Sequence, residues 1–231
     1  MTEAPARTGF AADIRAATWS GHQSAETTRF WASITGSSFD EDAYAALQSQ
    51  LYFVYDALET AVQDAVAAAA APGADPQAAA IAALYSPELA RTEALRADLA
   101  DLLGPDWAQR IHVLPATAAY VARLGEVASA PGRLLAHHYT RYLGDLSGGL
   151  FIGRRVKANL DRAGDSGVRF YVFESIPDAG AFKRAYRDGL DALPLDAAEQ
   201  AAVIEEAVLA YELNTALLAD LDADFRRAVS R

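Results

Sequence analysis

One segment of the chain, residues 137–153, combines side chains that could do chemistry with glycines that could admit a ligand. It reads HHYTRYLGDLSGGLFIG. Glycine inside a helix costs about 0.5–1 kcal/mol relative to alanine, yet this segment contains Gly144, Gly148, Gly149 and Gly153. Because Gly144 and Gly148 are four residues apart, on a helix they form one strip without side chains. Such a strip suits either a flat ligand or a tight crossing of two helices.

Two charged residues lie beside this strip. Asp145 directly follows Gly144, and Arg141 precedes Asp145 by one helical turn. Asp145 is almost the only charge available to the space above the glycines. A helix crossing has no need of these charges, so they favour the ligand interpretation.

Histidine is the main candidate for binding a metal. The chain has no cysteine and one methionine, Met1, which leaves four histidines, His22, His112, His137 and His138, with tyrosine as a weaker alternative. Glu26 follows His22 by four residues, so on a helix its carboxylate can accept a hydrogen bond from Nδ1–H and leave Nε2 free for a metal. A lone histidine on a helix can equally be structural or exposed.

Basic residues could bind an anion near the same site. Lys183 and Arg187 are one turn apart in FKRAYR and could hold two carboxylates together, while Arg15 lies about two turns before His22. A solvated basic helix face is the alternative interpretation of the pair.

The elements that must position these residues are predicted to be helices almost throughout. With 231 residues, 52% of them hydrophobic, we expect an all-α fold with a single domain over residues 1–231. A strand-like stretch, Val168 to Glu174, is too isolated to form a sheet. The predicted helices run from Phe10 to about Trp31, from a cap at Asp40 through the 60s to a stop at Pro72-Gly73, over 76–85, from Ser86-Pro87 to Leu103, from Pro115 to a break at Pro131-Gly132, on to about Ala163, and from caps at Asp178 and Asp196.

Composition excludes some classes of partner. A formal net charge of −11 argues against nucleic acid, because phosphate binding requires clustered lysine and arginine. The sequence contains no run of about 18 apolar residues, so it predicts no membrane-spanning helix. The opening MTEAPARTGFAAD lacks an apolar core of signal-peptide length, so we expect a cytoplasmic protein.

The segment LLAHHYTRYLGDLSGGLFIG closely resembles the signature of the heme oxygenases. ATWSGHQSAE, LYFVYDALE and FKRAYRDGLDAL are similar to three further helices of that family, so the resemblance spans nearly the whole chain. It implies an all-α fold that holds heme between a proximal helix and a kinked distal helix. At the position of His138 the family need not have histidine, and His137 is expected to pack in the core.

The resemblance implies a role for each matching residue. His22 would be the axial iron ligand, supported by Glu26, and Gly144 and Gly148 would lie against the heme. Asp145 would order the water chain that delivers protons to bound dioxygen. The propionates would meet Tyr139, Lys183, Arg187 and Arg15, the last replacing the lysine of many relatives, while Tyr55, Arg141, Tyr142 and Asn214 would extend the water network.

The implied reaction consumes heme b, which is both cofactor and substrate, together with dioxygen and electrons. It cleaves the α-meso carbon and yields biliverdin, carbon monoxide and ferrous iron. The electrons would come from a ferredoxin or a flavoprotein reductase, for which Arg154, Arg155 and Lys157 form a candidate docking patch.

Three other classes of protein have features that can be compared with this sequence. A heme storage or sensor protein, without catalysis, is the alternative. A thiaminase-like enzyme would need a cysteine nucleophile, and a di-iron bundle would need Glu-x-x-His pairs; the chain has neither.

Overall fold

The computed structural model describes residues 8–25, 30, 33–34, 36 and 39–229, with only the backbone at 20–25 and 228–229. These residues form ten α-helices and no strand, which confirms the all-α prediction. The helices are α1 (Phe10–Ala25), α2 (Glu41–Ala69), α3 (Pro76–Ala82), α4 (Thr92–Leu103), α5 (Trp107–Arg110), α6 (Pro115–Val127), α7 (Pro131–Gly144), α8 (Leu150–Leu160), α9 (Ala179–Asp191) and α10 (Ala197–Val229). None of these helices is long and apolar enough to cross a membrane.

Aspartate side chains begin several helices where the sequence predicts them. Asp40 accepts a hydrogen bond from the Ala43 N–H at 2.9 Å, and Asp178 accepts one from Ala181 at 2.8 Å. Asp196 accepts two, from the second and third residues of α10. Each bond satisfies an N–H that has no partner within its own helix.

The predicted helix start at Ser86-Pro87 is wrong. Pro87–Leu89 forms a single 3₁₀ turn, the backbone of Ala90 is extended at ψ 133°, and α4 begins only at Thr92. A carboxylate from another helix replaces the local cap, because Glu59 of α2 accepts the N–H groups of Arg91, at 2.5 Å, and of Thr92, at 3.2 Å.

The strand-like stretch from Val168 to Glu174 forms no sheet, as its isolation in the sequence predicts. Its centre, Arg169–Tyr171, is a 3₁₀ turn. Asp98 of α4 accepts the N–H groups of Arg169, at 2.9 Å, and Phe170, at 2.8 Å. The side chains of Val168, Phe170, Tyr171 and Phe173 are buried in the hydrophobic core.

Most of the predicted site residues lie on four helices, α1, α7, α9 and α10, or on the turn that follows α7. The long helix α10 packs against α1, α6 and α7, while α9 packs against α1 and the turn that follows α7. The predicted first helix extends beyond Ala25 to Trp31, but residues 26–29 and 31–32, Glu26 among them, lie outside the described residues.

Candidate functional site

The glycine segment bends through a π-helical turn. After α7 ends at Gly144, Asp145–Gly149 forms one π turn, and α8 continues from Leu150. A π turn adds a residue to the helix and is frequent at functional sites. Added Cβ atoms at Gly144 and Gly148 would meet no atom of the described residues within 4 Å. No described neighbouring helix therefore requires glycine at these two positions, and as far as these residues extend the space above them is open to a ligand.

The other two glycines have a different role. A Cβ on Gly153 would lie 2.8 Å from Tyr171 Cγ, too close to be accommodated without movement. One on Gly149 would make ordinary contact, at 3.6 Å, with Asp145 and Tyr171. Close packing thus explains Gly153, while Gly144 and Gly148 fit the ligand interpretation.

A cavity of about 170 Å³, here called the glycine cavity, lies over this bend. Apolar residues from α2, α10 and the 3₁₀ turn form much of its wall, including Leu47, Phe170 and Leu218. The Thr140 hydroxyl is buried without a hydrogen-bond partner in the described chain, and its residue lines this cavity. A buried hydroxyl of this kind ordinarily binds water or a ligand.

A network of polar side chains forms one wall of the glycine cavity. The Tyr55 hydroxyl donates to Asp145 Oδ2, and Arg141 Nε donates to the Tyr55 oxygen at 3.2 Å. Arg141 Nη1 donates to Asn214 Oδ1 at 2.5 Å. Thus Tyr55 of α2, Arg141 of α7, Asp145 and Asn214 of α10 form one connected set.

The electrostatics of this network make Asp145 able to exchange protons near neutral pH. Burial raises the pKa of its carboxyl from 3.8 to about 6, although the Arg141 charge and the Tyr55 hydrogen bond oppose that rise. Burial also raises the pKa of Tyr55 well above 10, so this hydroxyl keeps its proton. Asp145 is therefore the group in this set that can change charge under ordinary conditions.

A second cavity, of about 320 Å³ and here called the basic cavity, adjoins the first. Both cavities are lined by Gly144 and Tyr211. The basic cavity also contains all four of the predicted anion-binding residues, Arg15 from α1, Tyr139 from α7, and Lys183 and Arg187 from α9. Helices distant in sequence thus bring three cations to one concave surface.

These cations are available to bind an anion. Within the described chain neither Arg15 nor Arg187 has an acidic side chain within 4 Å, and Arg15 packs over Trp19 at 5.7 Å from the ring centroid. Lys183 Nζ donates to the Leu146 carbonyl and the Ser147 hydroxyl, both at 3.0 Å. Partial burial and then the Arg187 charge lower the pKa of Lys183. An anion placed between these two cations would relieve that repulsion.

The two histidines of α7 are occupied by core contacts. His137 is buried, with Nε2 3.0 Å from the Glu206 carboxylate. His138 is buried, with Nδ1 2.8 Å from the Tyr186 hydroxyl. His112 is exposed and lines a different cavity.

The fourth histidine, His22, lies on α1, where only the backbone is described. It follows Trp19 by three residues and Thr18 by four, and both of those line the basic cavity. At these spacings His22 belongs to the same side of the helix.

Taken together, the described residues fit a flat ligand that carries carboxylates. The open glycine strip provides the flat surface, the basic cavity provides charges for the carboxylates, and the Asp145 network provides a polar region on the other side of Gly144.

Comparisons with known proteins identify the family. Residues 8–220 match the family described as heme oxygenase. The chain belongs to the heme oxygenase family. Its members are enzymes that degrade heme to biliverdin, as the sequence resemblance implies.

Individual heme oxygenases match nearly the whole chain. Heme oxygenase 2 of Synechocystis is 36% identical over 226 residues, covering 96% of this chain and 86% of the relative. The heme oxygenase of Rhodella violacea is 33% identical over 224 residues, covering 96% and 91%. The crystal structure of Synechocystis heme oxygenase-2 with heme and NO superposes with a TM-score of 0.84 and covers 96% of this chain and 88% of that one.

Several cavity residues of this heme oxygenase are not among the predicted site residues. Thr140, Ser147 and Tyr211 line the cavities, and the Glu59 carboxylate accepts from the Tyr142 hydroxyl at 3.0 Å behind the network. Tyr211 precedes Asn214 by three residues, so the helical period could have placed both on one face. Nothing in the local sequence distinguishes Glu59 from the other acidic residues of α2.

Proposed function

We propose that this heme oxygenase binds heme b between α1 and the Gly144–Gly149 bend and cleaves it at the α-meso carbon. The products would be biliverdin, carbon monoxide and ferrous iron, and residues 1–231 would act as one domain. The observation that carries the proposal is the open glycine strip at the junction of the basic cavity and the glycine cavity. A flat ligand on this strip would reach the cations on one side and the Asp145 network on the other.

His22 would ligate the iron. Its position on α1, on the side that borders the basic cavity, supports this role, as does the engagement of His137 and His138 in the core. Glu26 would orient the His22 ring from the next helical turn, as its spacing in the sequence suggests.

Arg15, Tyr139, Lys183 and Arg187 would bind the two propionates. Charge-assisted hydrogen bonds are roughly twice as strong as neutral ones, so these contacts would hold the macrocycle in one rotation about its own axis. Lys183 would have to share or exchange its bonds to Leu146 and Ser147. A fixed rotation presents one meso carbon to the glycine cavity, which accounts for the proposed α-meso selectivity.

Heme supplies the site of dioxygen binding and the porphyrin edge that is oxidised. The protein would supply protons through Asp145. Its Oδ2 is held by Tyr55, and no described side chain or backbone N–H donates to Oδ1, which leaves that oxygen for water in the glycine cavity. Arg141 and Asn214 would keep Tyr55 in place and order further water.

A ferredoxin or a flavoprotein reductase would supply the electrons. Arg154, Arg155 and Lys157 are exposed on α8, just after the bend, and Phe151 beside them is 53% exposed. Lys157 pairs with Asp165 at 2.6 Å, so Arg154 and Arg155 are the better candidates for contacting an acidic donor. The cytoplasmic location expected from the sequence belongs to the same proposal, and cell fractionation would test it.

The test is a spectrum of the purified protein with hemin. Addition of ascorbate or a ferredoxin system should replace the Soret band with biliverdin absorbance. Asp145→Ala should still bind hemin and reach the ferrous state, but form less biliverdin and oxidise added phenols faster. Asp145→Asn should be milder if the amide orders the same water.

Three results would count against the proposal. Stable heme binding without turnover would favour a storage or sensor protein. An alanine variant with the parent rate and no gain in phenol oxidation would show that protons do not pass through Asp145. A single isomer other than α would contradict the proposed selectivity.

A further inference from the structure

A buried hydrogen bond links α7 to α9 behind the basic cavity. His138 is 1% exposed and Tyr186 5% exposed. His138 Nδ1 lies 2.8 Å from the Tyr186 hydroxyl, and the two rings are nearly parallel at 11°. Tyr85 and Tyr142 enclose the imidazole further, with ring centroids at 4.7 and 4.6 Å. Burial lowers the pKa of His138 to about 3, so the ring is neutral and acts as a hydrogen-bonding group.

The position of this bond connects it to the anion-binding side chains. Tyr186 lies between Lys183 and Arg187 on α9, and His138 directly precedes Tyr139 on α7. Within α9 the buried residues are Tyr186 and Leu190. The rotation of α9 about its own axis therefore depends strongly on Tyr186, the buried member with a directional contact.

We propose that the His138–Tyr186 hydrogen bond is a positioning contact that sets the rotation of heme in the site. It does so by fixing Lys183 and Arg187 relative to Tyr139. Neither His138 nor Tyr186 lines the basic cavity, so their effect reaches the ligand through the flanking cations. The inference rests on the proposed function for its ligand, and it adds two residues that determine which meso carbon faces the glycine cavity.

Loss of the bond should change how selectively heme is seated. Without the hydroxyl contact, α9 keeps its apolar anchors and the surface-side bonds of Lys183 and Asp191, but loses the directional contact of its buried face. A net hydrogen-bond contribution corresponds to about a fivefold change in an equilibrium constant. We therefore expect the ratio of the preferred heme rotation to its nearest competitor to fall by about fivefold, with a smaller effect on folding.

Four single variants of the full chain test this. Tyr186→Phe and His138→Ala each remove one partner. His138→Asn keeps an amide near the position of Nδ1, which can donate or accept, and should restore selectivity. Tyr85→Phe is the matched control, because it keeps the ring beside His138 and removes a tyrosine hydroxyl whose hydrogen bond, at 3.5 Å, goes to the Pro131 carbonyl and not to α9.

The first measurement requires no turnover. Proton NMR of the equilibrated ferric heme complex reports the rotation of the macrocycle through its paramagnetically shifted heme methyl signals. The parent, His138→Asn and Tyr85→Phe should show one dominant set, and Tyr186→Phe and His138→Ala should show added sets. Because removing either partner breaks the same bond, the double variant should be no more mixed than the worse single one.

The second measurement is the isomer composition of the biliverdin that each variant forms. Tyr186→Phe and His138→Ala should each form a mixture of isomers. A single methyl set in Tyr186→Phe and His138→Ala would overturn the inference, as would equal mixing in the Tyr85→Phe control. Absence of biliverdin from the parent would instead refute the proposed function, while the methyl signals would still decide the positioning role.

Discussion

Replacing the glycines of the bend by alanine separates a ligand-facing role from a packing role. At Gly144 and Gly148 the added methyl group would meet no atom within 4 Å in the part of the chain that the structure describes. Alanine is the better helix former by about 0.5–1 kcal/mol. Each substitution should therefore leave the ligand-free protein equally stable or raise its melting temperature, by roughly 1–4 °C for a chain of this size.

The same methyl group should interfere with heme. It would project from the strip on which the macrocycle is proposed to lie, and forcing a methyl group into a well-packed contact costs about 1–3 kcal/mol. That penalty corresponds to a rise in the Kd for heme of roughly five- to 150-fold. Stability and heme binding should thus change in opposite directions at Gly144 and Gly148.

Gly153→Ala is the matched comparison on the same segment. Its methyl group would lie 2.8 Å from Tyr171 Cγ, so the net effect should be a loss of folding stability of about 1–2 kcal/mol, the strain exceeding the gain in helix propensity. The assays are thermal unfolding without heme and titration of the Soret band with hemin. Parent-like heme binding by Gly144→Ala and Gly148→Ala would refute a ligand-facing role, as would unfolding of both at a lower temperature than the parent while Gly153→Ala unfolds like the parent.

Three further predictions concern the remaining groups of the site. His22→Ala should abolish turnover, with added imidazole restoring part of it, and a change of the heme ligand field in His137→Ala but not in His22→Ala would contradict the ligand assignment. Replacing Lys183 and Arg187 together by alanine should weaken heme binding and give mixed biliverdin isomers, and a single isomer formed at normal affinity would show that pocket shape sets the selectivity. The raised pKa of Asp145, about 6 against 3.8, means that the folded protein keeps a proton that the unfolded chain releases. The free energy of unfolding without heme should therefore fall as pH rises from about 4 to 6, and Asp145→Asn should flatten that fall in urea titrations by up to about 3 kcal/mol; an unchanged slope would contradict the prediction.

Helix starts are predicted correctly where the capping residue directly precedes its own helix. Asp40, Asp178 and Asp196 bond to N–H groups two or three residues ahead. A short-range sequence pattern contains everything needed for such a contact. The prediction for the start of α4 is wrong for the opposite reason. The residue that caps α4 is Glu59, which lies more than 30 residues earlier in the sequence.

The candidate site likewise has features that the sequence reveals and features that it leaves open. The glycine spacing, the Lys183 and Arg187 pair and the family resemblance are all readable in the sequence. Residue spacing alone allows two interpretations of each feature. A glycine strip suits a ligand or a neighbouring helix, and a basic pair suits an anion or solvent. The family resemblance favours the ligand and the anion.

Tertiary structure decides between those meanings residue by residue. Gly144, Gly148 and Gly153 lie in one helical segment, yet of these three only Gly153 lies against Tyr171. His138 and Tyr186 are 48 residues apart and become partners because the fold brings their side chains together between α7 and α9. Sequence patterns are enough to predict most of the helices, the family and most of the chemical groups, because these depend on which residues occur and how they are spaced. Which groups share a cavity, and which are held in the core, depends on distances between helices, and only the folded chain sets those distances.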